Sequence, residues 1–194
     1  MFQKWIISLN GGAKSVIGGV IGACMGFDMG GPVNKTASMA ANALGADGIN
    51  GPMCAKIIGG MTPPIGLFIA TLIKKNKFTK TELETAKTAL PMGLCFITEG
   101  VLPFAAADPA RFIPCSMLGS AVAGAIAVGA GCESVAGHGG IFVVPMMTNP
   151  GMFMAALFAG SMATGIAYAF LKKDKTPETV EEENVDIDLD INII

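Results

Sequence analysis

The stretch Leu90-Pro91-Met92-Gly93-Leu94-Cys95-Phe96-Ile97-Thr98-Glu99-Gly100-Val101-Leu102-Pro103-Phe104-Ala105-Ala106-Ala107 decides how this chain is read. It is apolar for most of its length, yet prolines, glycines and one glutamate interrupt it. A plain membrane span is a run of about 20 apolar residues forming one helix, and this run is too broken for that. Non-helical backbone at membrane depth survives only inside protein or beside a water-filled cavity. The pattern therefore predicts a re-entrant hairpin, and interrupted segments of this kind point to a transporter's substrate site.

Composition around that stretch agrees with a membrane setting. Mean hydropathy is +0.57, and charged residues make up 14% of the chain against about 25% in soluble domains. Glycine occurs 26 times in 194 residues, well above its usual share of about 7%. Small residues let helices approach closely in lipid. A net charge of −2 with no basic stripe gives no ground for nucleic-acid binding. The five cysteines, Cys24, Cys54, Cys95, Cys115 and Cys132, form no C-x-x-C pair. They are read as free thiols acting as small hydrophobes, not as a metal site or disulfide framework.

Moving outward, Lys74, Lys75, Lys77 and Lys80 form one basic cluster, and Lys172, Lys173 and Lys175 form another. Positive charge beside spans favours the cytoplasm, so both clusters are placed there. Spans are expected from about Lys56 to Ile73, broken at Pro63-Pro64, and over 111–131 and 152–171. Val135 to Met147 is short and broken by Gly137-His138-Gly139-Gly140 and Pro145; it is read as a second re-entrant hairpin. Ser15 to Met29 reads as a helix, with glycines at 18, 22, 26 and 30 stacked on one face as a packing stripe. Pro32 ends it, Asn34 to Leu44 is a second helix, and Gly45 to Pro52 is a loop. Asp108 is expected to cap the helix that follows it. The fold class is all-α: polytopic membrane helices with re-entrant hairpins over residues 1–173, then an acidic, flexible cytoplasmic tail at 174–194.

Polar residues within apolar surroundings are the candidate site. Glu99 has no basic residue near it in sequence. An ionisable group at that depth faces a cavity or a pathway, and a carboxylate offers acceptors for sugar hydroxyls. The alternative is a protonated glutamate bonded to a neighbouring backbone break. His138 lies between glycines, which allow close approach to a ligand; it is either a binding residue or a satisfied interior one. Asp28 and Lys35 flank a helix break, with Asn34 between them. They either pair with each other or line a polar cavity.

Three blocks taken in order resemble the fructose-family IIC permease of the bacterial phosphotransferase system. They are Gly26-Phe27-Asp28-Met29-Gly30-Gly31-Pro32-Val33-Asn34-Lys35, then Ile97-Thr98-Glu99-Gly100 through Pro103-Phe104-Ala105-Ala106-Ala107-Asp108-Pro109, then His138-Gly139-Gly140-Ile141-Phe142-Val143. The resemblance covers roughly residues 5 to 172. It implies a multi-pass subunit of the bacterial inner membrane with a cytoplasmic C-terminus. Such a subunit carries a fructose-like hexose while a IIB partner, itself charged by IIA, phosphorylates the sugar. It implies no cofactor, no metal and no phosphorylated residue in this chain. It also implies that Glu99 contacts sugar hydroxyls, and that His138, Asp28, Asn34 and Lys35 match family positions, with Gly137 where the family has proline. The family's permease works as a homodimer and begins with further helices that carry much of the dimer surface. Against that pattern, the expectation is a chain that pairs with separate N-terminal helices, its glycine stripe lacking a neighbour when alone.

Overall fold

The computed structural model describes residues 11–173, and every regular element among them is helical. The acidic segment expected to form a tail lies outside the described residues. Seven α-helices follow one another: α1 Gly11–Asp28, α2 Pro32–Ala46, α3 Gly51–Ile73, α4 Lys80–Leu94, α5 Leu102–Ala107, α6 Pro109–Gly129 and α7 Pro150–Leu171. Single 3-10 segments lie at Lys75–Lys77, Glu99–Val101 and Gly140–Met146. The helices α3, α6 and α7, of 23, 21 and 22 residues, are long and apolar enough to cross a membrane. At 1.5 Å per residue each matches a hydrocarbon core of about 30 Å.

Side-chain contacts fix how these helices run. At one end, Lys77 Nζ donates to the Lys172 carbonyl at 2.6 Å, and Lys172 Nζ pairs with Glu82 at 2.7 Å. The start of α6 meets the end of α7 there, with Phe112 edge-on to Tyr168 at 4.9 Å. At the other end, the Ser134 N–H donates to the Asn50 carbonyl at 3.3 Å. Thus α3 and α7 run parallel, α6 runs opposite, and both described lysine clusters share one end.

The glycine stripe on α1 finds its partner within the chain, which corrects the expectation that it lacks one. Gly18 lies against Gly124, Gly22 against Ser120 and Gly26 against Ser116, so α1 and α6 meet backbone to backbone. Ser116 Oγ donates to the Gly26 carbonyl at 2.7 Å across that contact. Gly30 is not part of the helical stripe: α1 ends at Asp28, and Gly30 takes a positive φ of 111°.

The expected break at Pro63-Pro64 is also corrected. Helix α3 runs unbroken from Gly51 to Ile73. Two prolines remove the N–H groups that would bond the carbonyls of Gly59 and Gly60, four residues earlier. Ser120 Oγ donates to Gly59 O at 2.8 Å, and Thr98 Oγ1 donates to Gly60 O at 3.1 Å. Hydroxyls from other segments thus satisfy the freed carbonyls, as buried backbone in lipid requires. The helix also starts earlier than expected, at Gly51, with Pro52 in its first turn where a missing N–H costs nothing. The expected loop is correspondingly short, because α2 continues to Ala46.

Both interrupted stretches form hairpins that enter from opposite ends. The first begins with Thr79 and Glu82 in a reciprocal capping box, which fixes the start of α4 at the lysine end. Helix α4 reaches a turn at Cys95–Thr98 beside Gly60, midway along α3. The chain then returns through α5, and Phe104 packs near Phe78 and Phe112, each at 6.3 Å, back at the lysine end. The second hairpin is closed at the far end, where the Thr148 N–H donates to Glu133 O at 3.2 Å. Asp108 precedes α6 but makes no side-chain cap. Its carboxylate is instead held by Arg111, at 3.0 Å to each oxygen. All five cysteines are free thiols.

Candidate functional site

The two hairpin tips meet. Gly140 has no room for a Cβ, because the Leu94 carbonyl and the Cys95–Phe96 peptide lie against it. Its φ of 56° and the 127° of Gly139 are left-handed, and glycine adopts both without the steric cost of a Cβ. Opposite them, Phe96 is a non-glycine residue at φ 66°, a conformation that costs on the order of 1–2 kcal/mol. Met29, at φ 47°, is a second such residue in the turn after α1. Outliers of this kind persist where surrounding structure over-determines them and cluster at functional sites.

Glu99 follows directly from that tip. Its side chain is exposed and lies over Gly30, where a Cβ would fall 2.8 Å from Oε1. The conformation of Gly30 and its lack of a side chain are both needed for this approach. The carboxylate is therefore brought to the break between α1 and α2, joining two sequence blocks separated by almost seventy positions. Thr98, buried one residue earlier, is tied to Gly60 O of α3 and anchors the turn that presents Glu99.

Asp28 and Asn34 build the break itself. The Asp28 carboxylate accepts from the Val33 N–H at 2.7 Å and the Asn34 N–H at 2.9 Å. It thereby serves the unpaired amides at the start of α2. Asn34 is buried, and its Nδ2 donates to the Met25 carbonyl at 2.8 Å, near the end of α1. Lys35 is exposed on the first turn of α2. The partners of the Asp28 carboxylate are thus backbone amides, which is neither of the two arrangements expected from sequence.

His138 is exposed, with its ring 4.9 Å from the Phe96 ring at an interplanar angle of 58°. The first hairpin thus contacts two of the sequence-derived candidates: Glu99 sits on it and His138 packs against it.

One residue at this junction was missed from sequence. Lys56 is 2% exposed within α3, donates to Asn42 Oδ1 at 2.7 Å and to the Gly137 carbonyl, and lies 6.0 Å from the Phe96 ring centre. The signal was present: a lone lysine inside the apolar run 51–73. At the edge of a span a lysine needs no partner, but in the interior of one it is an ionisable group that demands them.

These features define a polytopic helical membrane protein whose polar side chains gather around two opposed re-entrant tips. Comparison with known proteins gives its relatives. The chain is 44% identical over 170 residues to the "PTS system fructose-specific EIIC component" of Haloferax volcanii, covering 87% of this chain and 45% of that protein. It is 44% identical over 176 residues to the "PTS system fructose-specific EIIB'BC component" of Haemophilus influenzae, covering 91% and 32%. It is 36% identical over 192 residues to "Fructose-like permease IIC component 2" of Escherichia coli, covering 98% and 54%. Over most of its length the chain is similar to proteins named fructose-specific or fructose-like IIC components of the phosphotransferase system, and it spans about a third to a half of the length of these relatives. No family model and no solved structure matches it.

Proposed function

We propose that this chain supplies the sugar-binding hairpins of a membrane permease that carries a fructose-like hexose while a IIB partner phosphorylates it. The observation carrying this reading is the placement of Glu99. A carboxylate emerges from the tip of a re-entrant hairpin, over a glycine that leaves it room. Such a group presents acceptor oxygens to sugar hydroxyls, and hydrogen bonds to a charged acceptor contribute about 1.5–3 kcal/mol. His138, held on the other hairpin against Phe96, is the second binding residue. Asp28 and Asn34 hold the floor on which Glu99 rests. Lys35 lies at the exposed edge of that floor.

Partners follow from the names of relatives. The Haemophilus influenzae and Escherichia coli proteins named EIIB'BC and the Bacillus subtilis protein named EIIABC carry B, or A and B, designations beside C. The corresponding partners for this chain are IIB and IIA components, with assembly as a homodimer. The lysine end is placed in the cytoplasm by the positive-inside bias, together with the acidic C-terminal segment, and the membrane is the bacterial inner membrane. A direct test is equilibrium binding of radiolabelled fructose to membranes holding the wild-type chain or its Glu99→Gln variant, in the assembled permease. Wild-type binding that falls at least about tenfold in the variant is expected. Equal affinity in both would remove Glu99 from the site.

A further inference from the structure

We propose that Lys56 is a positioning residue of the sugar site: its buried ammonium pins the hairpin that carries His138 to the hairpin that carries Glu99. This rests on the reading of Glu99 and His138 as the sugar-binding pair.

A lysine ammonium is costly to bury, and removing its partners leaves an uncompensated charge. Lys56 is nevertheless almost fully enclosed. Each of its contacts comes from a different segment. Asn42 Oδ1 belongs to α2, the Gly137 carbonyl belongs to the second hairpin, and the Phe96 ring belongs to the tip of the first. An ammonium has three N–H donors; two meet these oxygens, and the ring face adds a cation–π contact. All three partners are neutral dipoles or π density, so the charge favours holding them close.

Gly137 is the residue next to His138, in a stretch whose glycines at 137, 139 and 140 give the backbone wide freedom. A backbone of that kind needs anchors at both sides to place one ring. Gly140 is anchored against Leu94–Phe96, and Lys56 supplies the anchor at Gly137. Between them the His138 ring rests on Phe96. Phe96 thus touches both the anchor cation and the positioned histidine. Lys56 acts through these groups and makes no contact with sugar.

The test compares Lys56→Met, which keeps length and removes charge, with Lys56→Arg, which keeps a cation. Both are placed in the assembled permease. Hydrogen–deuterium exchange is read on the segment 133–147, with α1 and α7 as internal controls. Lys56→Met should speed exchange in that segment about tenfold while α1 and α7 stay protected, and Lys56→Arg should restore most of the protection. If Lys56→Met loosens α1 and α7 as well, Asn42→Ala decides. A rise confined to 133–147 supports the anchor, and no rise rejects it. In hexose phosphorylation, Lys56→Met should raise KM about tenfold and change kcat less, and adding it to His138→Ala should cost nothing more. Unchanged exchange at 133–147, or independent and multiplicative effects in the double variant, would overturn the proposal. A wild-type permease that phosphorylates no hexose would refute the proposed function, while the exchange experiment still decides whether Lys56 anchors the hairpin.

Discussion

Thr98 Oγ1 donates to the Gly60 carbonyl at 3.1 Å, the carbonyl that Pro64 leaves without a partner in its own helix. A proline pair that looks like a helix breaker therefore serves as a docking point. It frees acceptors in the middle of α3, and a hairpin tip one residue from Glu99 binds one of them. The energetics are asymmetric, because a buried carbonyl left unpaired costs about 1–3 kcal/mol.

Replacing Thr98 with valine keeps its shape and removes the donor. Stability in detergent should fall by about 1–3 kcal/mol, whereas Thr98→Ser should stay near wild type. Thermal unfolding of the two variants measures this; equal midpoints would show that the bond contributes nothing.

Gly30→Ala probes the floor beneath Glu99. An added Cβ at a positive φ of 111° is strained, and it would sit 2.8 Å from Oε1. The carboxylate must then move, and sugar affinity should fall about tenfold with helical content unchanged, an effect of roughly 1.4 kcal/mol. Circular dichroism and a binding isotherm on the same preparation separate the two effects.

Much of this arrangement was legible in the sequence. Interrupted apolar runs announced both hairpins, and the glycine spacing on α1 announced a close helix contact. What escaped was long-range completion. The partner of the stripe is α6, about a hundred positions away, and the carbonyls freed at Pro63-Pro64 are capped by Ser120 and Thr98. No local pattern encodes those meetings. Lys56 is different: the lone lysine in an apolar run is visible in the sequence, but its partners Asn42 and Gly137 are not. Asp28 was recognised as special, but its place beneath the first turn of α2 depends on the turn geometry at Met29 and Gly30.

The contact between α1 and α6 makes a packing prediction. A Cβ on Gly22 would collide with the Ser120 backbone, while one on Gly12 meets nothing within 4 Å. Gly22→Val should destabilise the fold by about 1–3 kcal/mol through overpacking, and Gly12→Ala should be neutral or slightly stabilising. Unfolding midpoints of both variants, measured side by side, check the contrast.

Topology is testable with single cysteines in a background lacking the reactive native thiols. Asn76→Cys and Lys173→Cys lie at the lysine end, and Glu133→Cys lies at the opposite end; all three positions are exposed. A membrane-impermeant thiol reagent added to intact cells should label position 133 and spare positions 76 and 173. Labelling of 76 or 173 from outside would invert the orientation drawn from the positive-inside bias.

The most direct measurement is phosphorylation of radiolabelled fructose in membrane vesicles. They would hold the assembled permease that contains this chain, together with IIA and IIB components charged from phosphoenolpyruvate. Fructose phosphate should accumulate inside the vesicles only when IIB is present, and Glu99→Gln should abolish it while the chain remains inserted. No phosphorylated sugar with every component present, or undiminished product from Glu99→Gln, would contradict the account.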